Sequence, residues 1–194
     1  MSAYPILDWT DDKQRTRLLE LLREKSYVEG EVTLASGKKS NFYIDCRQTS
    51  LDPEGAYLMG QIFSTWIENV DYTPDAVGGM TMGADPLVTA TSVATYQKDK
   101  PVTAFLIRKE AKGHGLKKWL EGRGDIPDGS TVLLLEDVVT TGGSTIKAIK
   151  ACEDENLKVA DVFCLVDRME GGKEAIEATG AKLTSIFTRH DFLK

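Results

Sequence analysis

The chain has 194 residues, of which 41% are hydrophobic and 28% charged, and this length suits one globular unit with a sizeable core. Thirty Asp and Glu residues against 24 Lys and Arg residues give a net charge of −6. Because this charge repels phosphate at long range, we expect no non-specific binding to nucleic acid or to anionic membranes. Any phosphate group must be held by local contacts.

The sequence predicts neither a signal peptide nor a membrane span. Its first residues lack a basic start followed by an apolar core, and no apolar run approaches the roughly 20 residues of a spanning helix. Cys46, Cys152 and Cys164 are an odd number without close spacing, which is typical of reduced cysteines in a cytoplasmic protein. His114 and His190 lie far apart in the sequence, so we predict no zinc site.

The first fifty residues predict a helix and a hairpin. Apolar positions between residues 11 and 27 recur on one helix face, and Gly30 should end that helix. The stretch EVTLASGKKSNFYIDC, residues 31–46, predicts two strands joined by a glycine-containing turn. The next helix should begin with Asp52 as N-cap and Pro53 at its first helical position.

From residue 53 onwards, apolar strands alternate with helices. The predicted strands are DAVGG, VTAFLI, TVLLLE, VADVFCLV and KLTSIFT. Strands without polar alternation, separated by helices, predict an α/β protein with a central parallel sheet flanked by helices. We predict an α/β core spanning residues 53–194 and a small N-terminal hood spanning residues 1–52. A ligand is expected beyond the carboxyl ends of the strands.

A glycine turn rich in hydroxyl groups follows the predicted strand TVLLLE. In LLLEDVVTTGGST, residues 133–145, two glycines let the backbone curl around a ligand. The N–H groups at the start of the next helix favour an anion, and Thr140, Thr141, Ser144 and Thr145 offer further hydroxyl donors. The pattern indicates a phosphate site. It is neither a Walker A loop nor a dinucleotide fingerprint, because both glycine spacings are missing.

Two acids, Glu136 and Asp137, stand directly before this turn. Carboxylates repel phosphate unless they serve another part of the same ligand, and vicinal hydroxyls or a divalent cation are their natural partners. A phosphate beside a diol describes a ribose 5-phosphate. The alternative is that the acids merely cap a strand before an ordinary turn.

The complete string resembles the phosphoribosyl-diphosphate motif of the type I phosphoribosyltransferases, and the resemblance implies that family's fold. It also implies that Glu136 and Asp137 hold the ribose hydroxyls. The residues that follow would then bind phosphoribosyl diphosphate, mainly at its 5-phosphate: Val138, Val139, Thr140, Thr141, Gly142, Gly143 and Ser144.

The densest positive segment of the chain is RKEAKGHGLKKWLEG, residues 108–122. Glycines on both sides of His114 disfavour a helix there. The segment follows a predicted strand, so it should lie at the ligand edge as a lid. The alternative interpretation is a solvated run of charges.

The pattern RKE-x-K-x-HG resembles the catalytic loop of the orotate phosphoribosyltransferases. The resemblance implies that four residues of the loop contact diphosphate: Arg108, Lys109, Lys112 and His114. In that family the loop reaches into the site of the neighbouring subunit, which implies a homodimer.

The base-binding end resembles the same family. LASGKKSNFYIDCR resembles its orotate-binding hairpin, where main-chain groups of Tyr43 and Ile44 would reach the pyrimidine, and Thr140 would be a further orotate contact. LVDRMEGG resembles the segment carrying its orotate-pairing arginine, here Arg168, whose forked donors suit a planar anionic base. Without the resemblance, an arginine at the surface end of a strand explains this position equally well. Ala35 and Met82 stand where better-known members carry lysine.

The resemblance implies transfer of the 5-phosphoribosyl group from phosphoribosyl diphosphate to orotate, giving orotidine 5′-monophosphate and diphosphate in pyrimidine biosynthesis. It implies Mg²⁺ held through substrate oxygens rather than by a protein cage. Two alternatives stay open. One is a phosphoribosyltransferase for a different base; the other is a non-catalytic regulator that senses phosphoribosyl diphosphate and binds nucleic acid, against which the acidic charge and the basic lid argue.

Overall fold

The computed structural model describes residues 12–33, 39–110 and 119–193. Its helices are α1 (Asp12–Lys25), α2 (Arg47–Ser50), α3 (Pro53–Glu68), α4 (Asp85–Gln97), α5 (Gly143–Asp154) and α6 (Gly172–Glu177). Its strands are β1 (Tyr27–Thr33), β2 (Lys39–Ile44), β3 (Ala76–Met80), β4 (Thr103–Ile107), β5 (Leu120–Glu121), β6 (Thr131–Val139), β7 (Lys158–Asp167) and β8 (Lys182–Thr188). Short 3-10 turns lie at Arg123–Asp125 and Arg189–Asp191.

The central sheet has six strands in the order β5-β4-β3-β6-β7-β8 within the described ranges. All neighbours pair in parallel except β5, which runs antiparallel to β4 through Leu106 opposite Glu121. The predicted parallel sheet flanked by helices is therefore confirmed. The short edge strand β5 was not predicted, because it lies within the polar segment that follows β4.

The N-terminal helix ends earlier than the sequence predicted. α1 stops at Lys25, β1 begins at Tyr27, and Gly30 lies inside β1 with a φ of +104° at an irregularity in the strand register. The prediction that Gly30 ends the helix is therefore wrong. Tyr27 packs its ring 5.4 Å from Phe42 and 5.6 Å from Phe192, and this aromatic packing favours the strand over another helical turn. The predicted hairpin pairs as β1 and β2. Lys39 and Ser40 of the predicted turn SGKKS belong to β2, and the rest of that turn lies outside the described residues.

The N-terminal segment packs into the same hydrophobic cluster as the sheet. Leu18 and Leu22 of α1 and Phe42 of β2 are fully buried together with Phe187 of β8. Burial of this kind contributes roughly 1.5–3 kcal/mol per large apolar side chain. Residues on both sides of the predicted boundary at residue 52 thus share one core, and the division into hood and core stays a prediction.

The start of α3 has the capping that the sequence predicted. Asp52 accepts hydrogen bonds from the main-chain N–H groups of Glu54 and Gly55 at 3.0 and 3.1 Å, and Pro53 is the first helical residue. Such a cap satisfies N–H groups that have no acceptor within the helix. The carboxylate of Asp52 also pairs with Lys25 at the end of α1.

The carboxyl ends of β3, β6 and β7 meet at one edge of the sheet. The predicted strand TVLLLE ended at Glu136, whereas β6 continues through Val139, so Asp137 also lies within the strand. Val139 pairs with Asp167 in β7, and its carbonyl accepts a hydrogen bond of 2.9 Å from the N–H of Arg168. The acids and Arg168 therefore lie at the same edge, where the ligand was expected.

Cys46, Cys152 and Cys164 are buried and free. Across the described ranges, no helix combines the length and the apolar character that crossing a membrane requires.

Candidate active site

A cavity of about 310 Å³ opens at the carboxyl edge of the sheet. It lies between the end of the hairpin, the loop after β3 and the end of β6. Its walls are formed by Tyr43, Ile44, Asp45, Cys46, Arg47, Met80, Thr81, Met82, Gly83, Lys109, Glu136, Asp137, Val138 and Ser144. The structure therefore brings the predicted acid pair, part of the phosphate loop, one basic residue and the hairpin to a single cavity.

Glu136 forms the buried part of the acid pair. It is 8% exposed, and burial raises the pKa of its carboxyl group to about 8, with a further contribution from the charge of Asp137. A buried carboxyl group next to another acid favours its neutral form, since two close negative charges in a poorly solvated site are costly. Burial and the neighbouring acid therefore both favour the neutral form of the Glu136 carboxyl group.

Asp137 is the more accessible acid of the pair. Burial raises the pKa of its carboxyl group, while the N–H of Val138 and the charge of Arg47 act in the opposite direction. The N–H of Val138 donates to Asp137 Oδ1 at 2.8 Å. Gly83 packs directly against this carboxylate, because a Cβ at Gly83 would lie 2.6 Å from Asp137 Oδ1. A glycine after β3 therefore makes room for the acid.

Thr145 does not face the phosphate loop, contrary to the prediction that it adds a hydroxyl donor there. Its side chain is 2% exposed, and its hydroxyl donates to Glu136 Oε2 at 2.9 Å. This hydrogen bond opposes the rise in the pKa of Glu136. Thr145 lies on the inner side of α5, where the helix packs on β6, and this orientation explains the difference.

The glycine turn forms the start of α5. Gly142 is the N-cap with a φ of +79°, and the N–H of Ile146 donates to its carbonyl at 2.9 Å. A Cβ at Gly142 would meet the carbonyl oxygen of Gly172 at 2.9 Å, so this position needs glycine for both conformation and space. Thr141, Gly143 and Ser144 are exposed. The first N–H groups of α5 have no acceptor within the helix, which is the geometry of an anion site.

Two predicted phosphate-loop residues are less accessible. Val139 is 1% exposed within the core, and its carbonyl is occupied by Arg168. Thr140 is partly buried, and a Cβ at Gly172 would come within 2.6 Å of its carbonyl oxygen. Their contacts with ligand stay predictions.

Two of the four predicted basic residues, Arg108 and Lys109, lie within the described ranges. Lys109 lies on the wall of the cavity. Arg108 instead donates from Nε to Glu121 of β5 at 2.6 Å, and its main-chain N–H donates to Trp119. Lys112 and His114 lie outside the described residues. The predicted diphosphate contacts of all four residues stay predictions.

The predicted base-binding residues come from the hairpin and from the end of β7. Tyr43 and Ile44 line the cavity. Arg168 follows β7, is 14% exposed, and places its Cζ 5.7 Å from the centre of the Phe42 ring. Its Nη2 pairs with Glu170 at 2.7 Å. Ala35 lies outside the described residues, and Met82 is 66% exposed on the cavity wall.

Asp45 and Arg47 line the cavity and were missed by the sequence analysis. The side chain of Arg47 pairs with Asp45 at 2.8 Å. Arg47 also bears electrostatically on Asp137, where its charge lowers the pKa. Their position directly after the strand NFYI was the available signal, because the end of the predicted hairpin points toward the base site.

The donor set suits a metal ion bound through substrate. Over the described ranges, no group of three or more His, Cys, Asp or Glu residues is placed to hold a metal ion. The acid pair supplies two carboxyl groups on one wall, and Mg²⁺ commonly combines one or two carboxylates with substrate phosphates and water.

A larger cavity of about 480 Å³ lies at the opposite, amino edge of the sheet, between Tyr72, Pro74 and Pro101. Of its charged wall residues, Glu68 and Lys100 pair with each other at 3.5 Å, and Asp71 is the third. The chemistry of the acid pair and of the helix start therefore belongs to the smaller cavity.

Known proteins resemble this chain in sequence and in fold. The sequence profile of the family "Phosphoribosyl transferase domain" matches residues 49–186. The orotate phosphoribosyltransferase of Aquifex aeolicus is 42% identical over 183 residues, covering 93% of this chain and 98% of that protein. A crystal structure of Mycobacterium tuberculosis H37Rv orotate phosphoribosyltransferase has a TM-score of 0.80 at 38% identity, covering 92% of this chain and 98% of that chain. Another structure of that enzyme, in complex with 5-phospho-alpha-D-ribosyl 1-diphosphate, has a TM-score of 0.76 at 31% identity, covering 97% and 96%.

An α/β sheet that presents an acid pair beside a glycine-bounded helix start, together with a profile match over most of the chain, defines a type I phosphoribosyltransferase. Within this class, the chain is more than 40% identical over nearly its whole length to an orotate phosphoribosyltransferase. The chain belongs to the orotate phosphoribosyltransferase family of pentosyltransferases.

Proposed function

We propose that this protein transfers the 5-phosphoribosyl group from phosphoribosyl diphosphate to orotate, giving orotidine 5′-monophosphate and diphosphate in pyrimidine biosynthesis. One observation carries the proposal. The acid pair Glu136 and Asp137, Ser144 at the start of α5 and the hairpin residues Tyr43 and Ile44 all line one cavity. A ribose 5-phosphate held by the first two features presents its anomeric carbon toward the hairpin.

The acid pair binds the ribose hydroxyls. Asp137 is the more accessible carboxylate, and Gly83 leaves room beside it. The 5-phosphate lies at the start of α5, where Thr141, Gly143 and Ser144 are exposed and the helix dipole favours negative charge. These contacts fix the sugar while its anomeric carbon reacts, and such positioning accounts for a large share of catalysis in a transfer of this type.

The base is held at the other end of the cavity. Tyr43 and Ile44 line the cavity, and their main-chain groups contact the pyrimidine. Arg168, at the same edge of the sheet, pairs with the anionic oxygens of the base. Arg168 suits this role, because its planar fork offers paired donors to a planar acceptor. The identity of the base depends on these residues rather than on the phosphate loop.

Diphosphate departs toward the basic segment. Lys109 lines the cavity, and Arg108, Lys112 and His114 belong to the same segment. Mg²⁺ held through the substrate, beside the carboxyl groups of Glu136 and Asp137, would supply charge stabilisation of the leaving group. The lysines neutralise the charge that develops on diphosphate, and closure of the segment excludes water from the anomeric carbon.

The proposed reaction is tested by the loss of orotate absorbance on mixing the protein with orotate, phosphoribosyl diphosphate and Mg²⁺. We expect turnover with orotate and none with adenine, hypoxanthine or uracil. The Asp137→Asn variant serves as the control for a reaction that depends on the acid pair. Consumption of a purine base without consumption of orotate contradicts the proposal.

The protein acts as a homodimer in which the basic segment of one subunit completes the site of the other. Mixing Lys112→Ala subunits with Asp137→Asn subunits tests this arrangement after subunit exchange. If the segment acts across the interface, a mixed dimer has one complete site, and about a quarter of the wild-type turnover returns. If each segment serves its own subunit, neither site is complete and no turnover returns.

A further inference from the structure

The guanidinium of Arg168 packs one face against Phe42 and pairs through one nitrogen with Glu170. Its Cζ lies 5.7 Å from the centre of the Phe42 ring, which is fully buried in the core. Its Nη2 donates to Glu170 Oε1 at 2.7 Å. Because the guanidinium is planar and rigid, a fixed face together with one fixed nitrogen sets the direction of its other donors.

One of the remaining donors of Arg168 has no partner. The Nε atom is buried and makes no hydrogen bond to any described residue. Buried donors are almost always paired in proteins, because leaving one unpaired is costly. The protein therefore does not satisfy all the donors of the side chain that the proposed function assigns to the base.

The turn after β7 places Glu170 beside Arg168. Asp167 is 2% exposed, and its Oδ1 accepts a hydrogen bond of 2.8 Å from the N–H of Met169. Met169 adopts a left-handed backbone with a φ of 58°, and Gly171 follows with a φ of +85°. The N–H of Arg168 is itself tied to β6. The backbone of this turn therefore places the carboxylate of Glu170 next to the guanidinium of Arg168.

We propose that Glu170 is a positioning residue of the base site, which holds the guanidinium of Arg168 in the orientation in which it pairs with the base. Glu170 acts through Arg168 and touches no substrate. The inference rests on the proposed function, in which Arg168 pairs with orotate. The side chain of Glu170 is 35% exposed, and ion pairs with exposed partners add little to stability. Its effect is therefore expected in orotate binding rather than in folding.

Three variants test this inference. Glu170→Ala removes both the charge and the hydrogen-bond acceptor. Glu170→Gln keeps an acceptor oxygen for Nη2 of Arg168. Glu174→Ala, in the nearby helix α6, is the matched control. For Glu170→Ala we expect KM for orotate to rise by roughly tenfold, while kcat and KM for phosphoribosyl diphosphate stay within about twofold. Glu170→Gln should restore KM for orotate to within about threefold of wild type, and Glu174→Ala should leave all constants unchanged.

The outcomes separate this inference from the proposed function. Wild-type turnover of orotate with an unchanged KM in Glu170→Ala overturns the inference alone. A lower KM in both Glu170 variants also overturns it, because Glu170 would then compete with the base. If kcat and thermal stability fall together and both KM values rise, Glu170 has a structural role, and this result overturns the inference as well. Failure of the wild type to consume orotate overturns the proposed function and this inference together.

A binding measurement that needs no turnover gives a second readout. Calorimetric titration with orotidine 5′-monophosphate reports the base and phosphate contacts together, whereas titration with ribose 5-phosphate reports the phosphate and diol contacts alone. We expect Glu170→Ala to weaken binding of the nucleotide by roughly tenfold and to leave binding of ribose 5-phosphate unchanged. Equal weakening of both ligands overturns the inference.

Discussion

Thr145 donates its hydroxyl to Glu136 Oε2 at 2.9 Å, and both side chains are buried. The helix that begins at the predicted phosphate site is thereby tied to the acid that faces the predicted diol site. The same hydrogen bond opposes the rise in the pKa of Glu136. One buried contact thus couples the two halves of the proposed ribose 5-phosphate site.

Replacing Thr145 by Val keeps the shape of the side chain and removes the hydroxyl. We expect the free energy of unfolding to fall by about 1–2 kcal/mol, because Glu136 loses a buried hydrogen-bond partner. The pKa of Glu136 should rise further, so the pH at which phosphoribosyl diphosphate binds half-maximally should move upward. Urea unfolding and calorimetric titrations between pH 6 and pH 9, approximately the range around the pKa of Glu136, measure both effects.

Thr16→Val is the control for this change, since Thr16 lies exposed on α1. It should alter neither stability nor the pH dependence of binding. An unchanged pH dependence in Thr145→Val would show that Glu136 does not titrate in the binding step.

Asp137→Asn tests the more accessible acid. The variant keeps the size of the side chain and removes the charge that, in the proposed function, accepts hydrogen bonds from the ribose hydroxyls. We expect affinity for phosphoribosyl diphosphate to fall by roughly 10- to 100-fold, as is typical for loss of a charge-assisted hydrogen bond. The fold should stay intact, and calorimetry with circular dichroism measures both properties.

The same variant has a second expected effect. The charge of Asp137 contributes to the raised pKa of Glu136, so removing that charge should lower the pKa of Glu136. Equal affinity in the variant and the wild type would count against the assignment of Asp137 to the diol.

The sequence predicted the features that depend on local patterning. Apolar strands separated by helices predicted the parallel sheet, and the position of Arg168 after a strand predicted its place at the edge. Asp52 and Pro53 start α3 as their types suggest. These features depend on residue type and spacing, which are read directly from the chain.

Other features depend on partners that are distant in the sequence. Gly30 lies in a strand rather than at a helix end, because Tyr27 packs against Phe192. Thr145 turns inward because Glu136 lies behind it. A sequence pattern gives the hydroxyl but not the side of the helix on which its acceptor lies.

Gly83→Ala tests whether the loop after β3 must leave room for Asp137. The added Cβ would lie 2.6 Å from Asp137 Oδ1, so either the carboxylate or the loop must move. We expect affinity for phosphoribosyl diphosphate to fall by roughly tenfold, because misplaced contacts lose most of their effect. Gly124→Ala is the matched control, since a Cβ there meets no atom within 4 Å. If both variants bind equally well, the close approach has no role in binding.

Glu136→Gln tests the ionisation state of the buried acid through the pH dependence of stability. The neutral carboxyl group is favoured in the folded protein, where its pKa is raised to about 8. In the unfolded chain the pKa returns to about 4.3. The stability that Glu136 contributes is therefore present in full below the unfolded pKa and is lost as the pH rises through about 8.

Glutamine cannot ionise, so Glu136→Gln should not lose this contribution. We expect the variant to gain stability relative to the wild type as the pH rises from about 5 to about 8, by about 1–3 kcal/mol. Urea unfolding at several pH values measures the difference, and other titrating groups largely cancel in it. Glu153→Gln, an exposed acid on α5, is the control and should keep a constant difference. A constant difference for Glu136→Gln as well would mean that Glu136 is ionised in the free protein, and the pH dependence expected for Thr145→Val would then lose its basis.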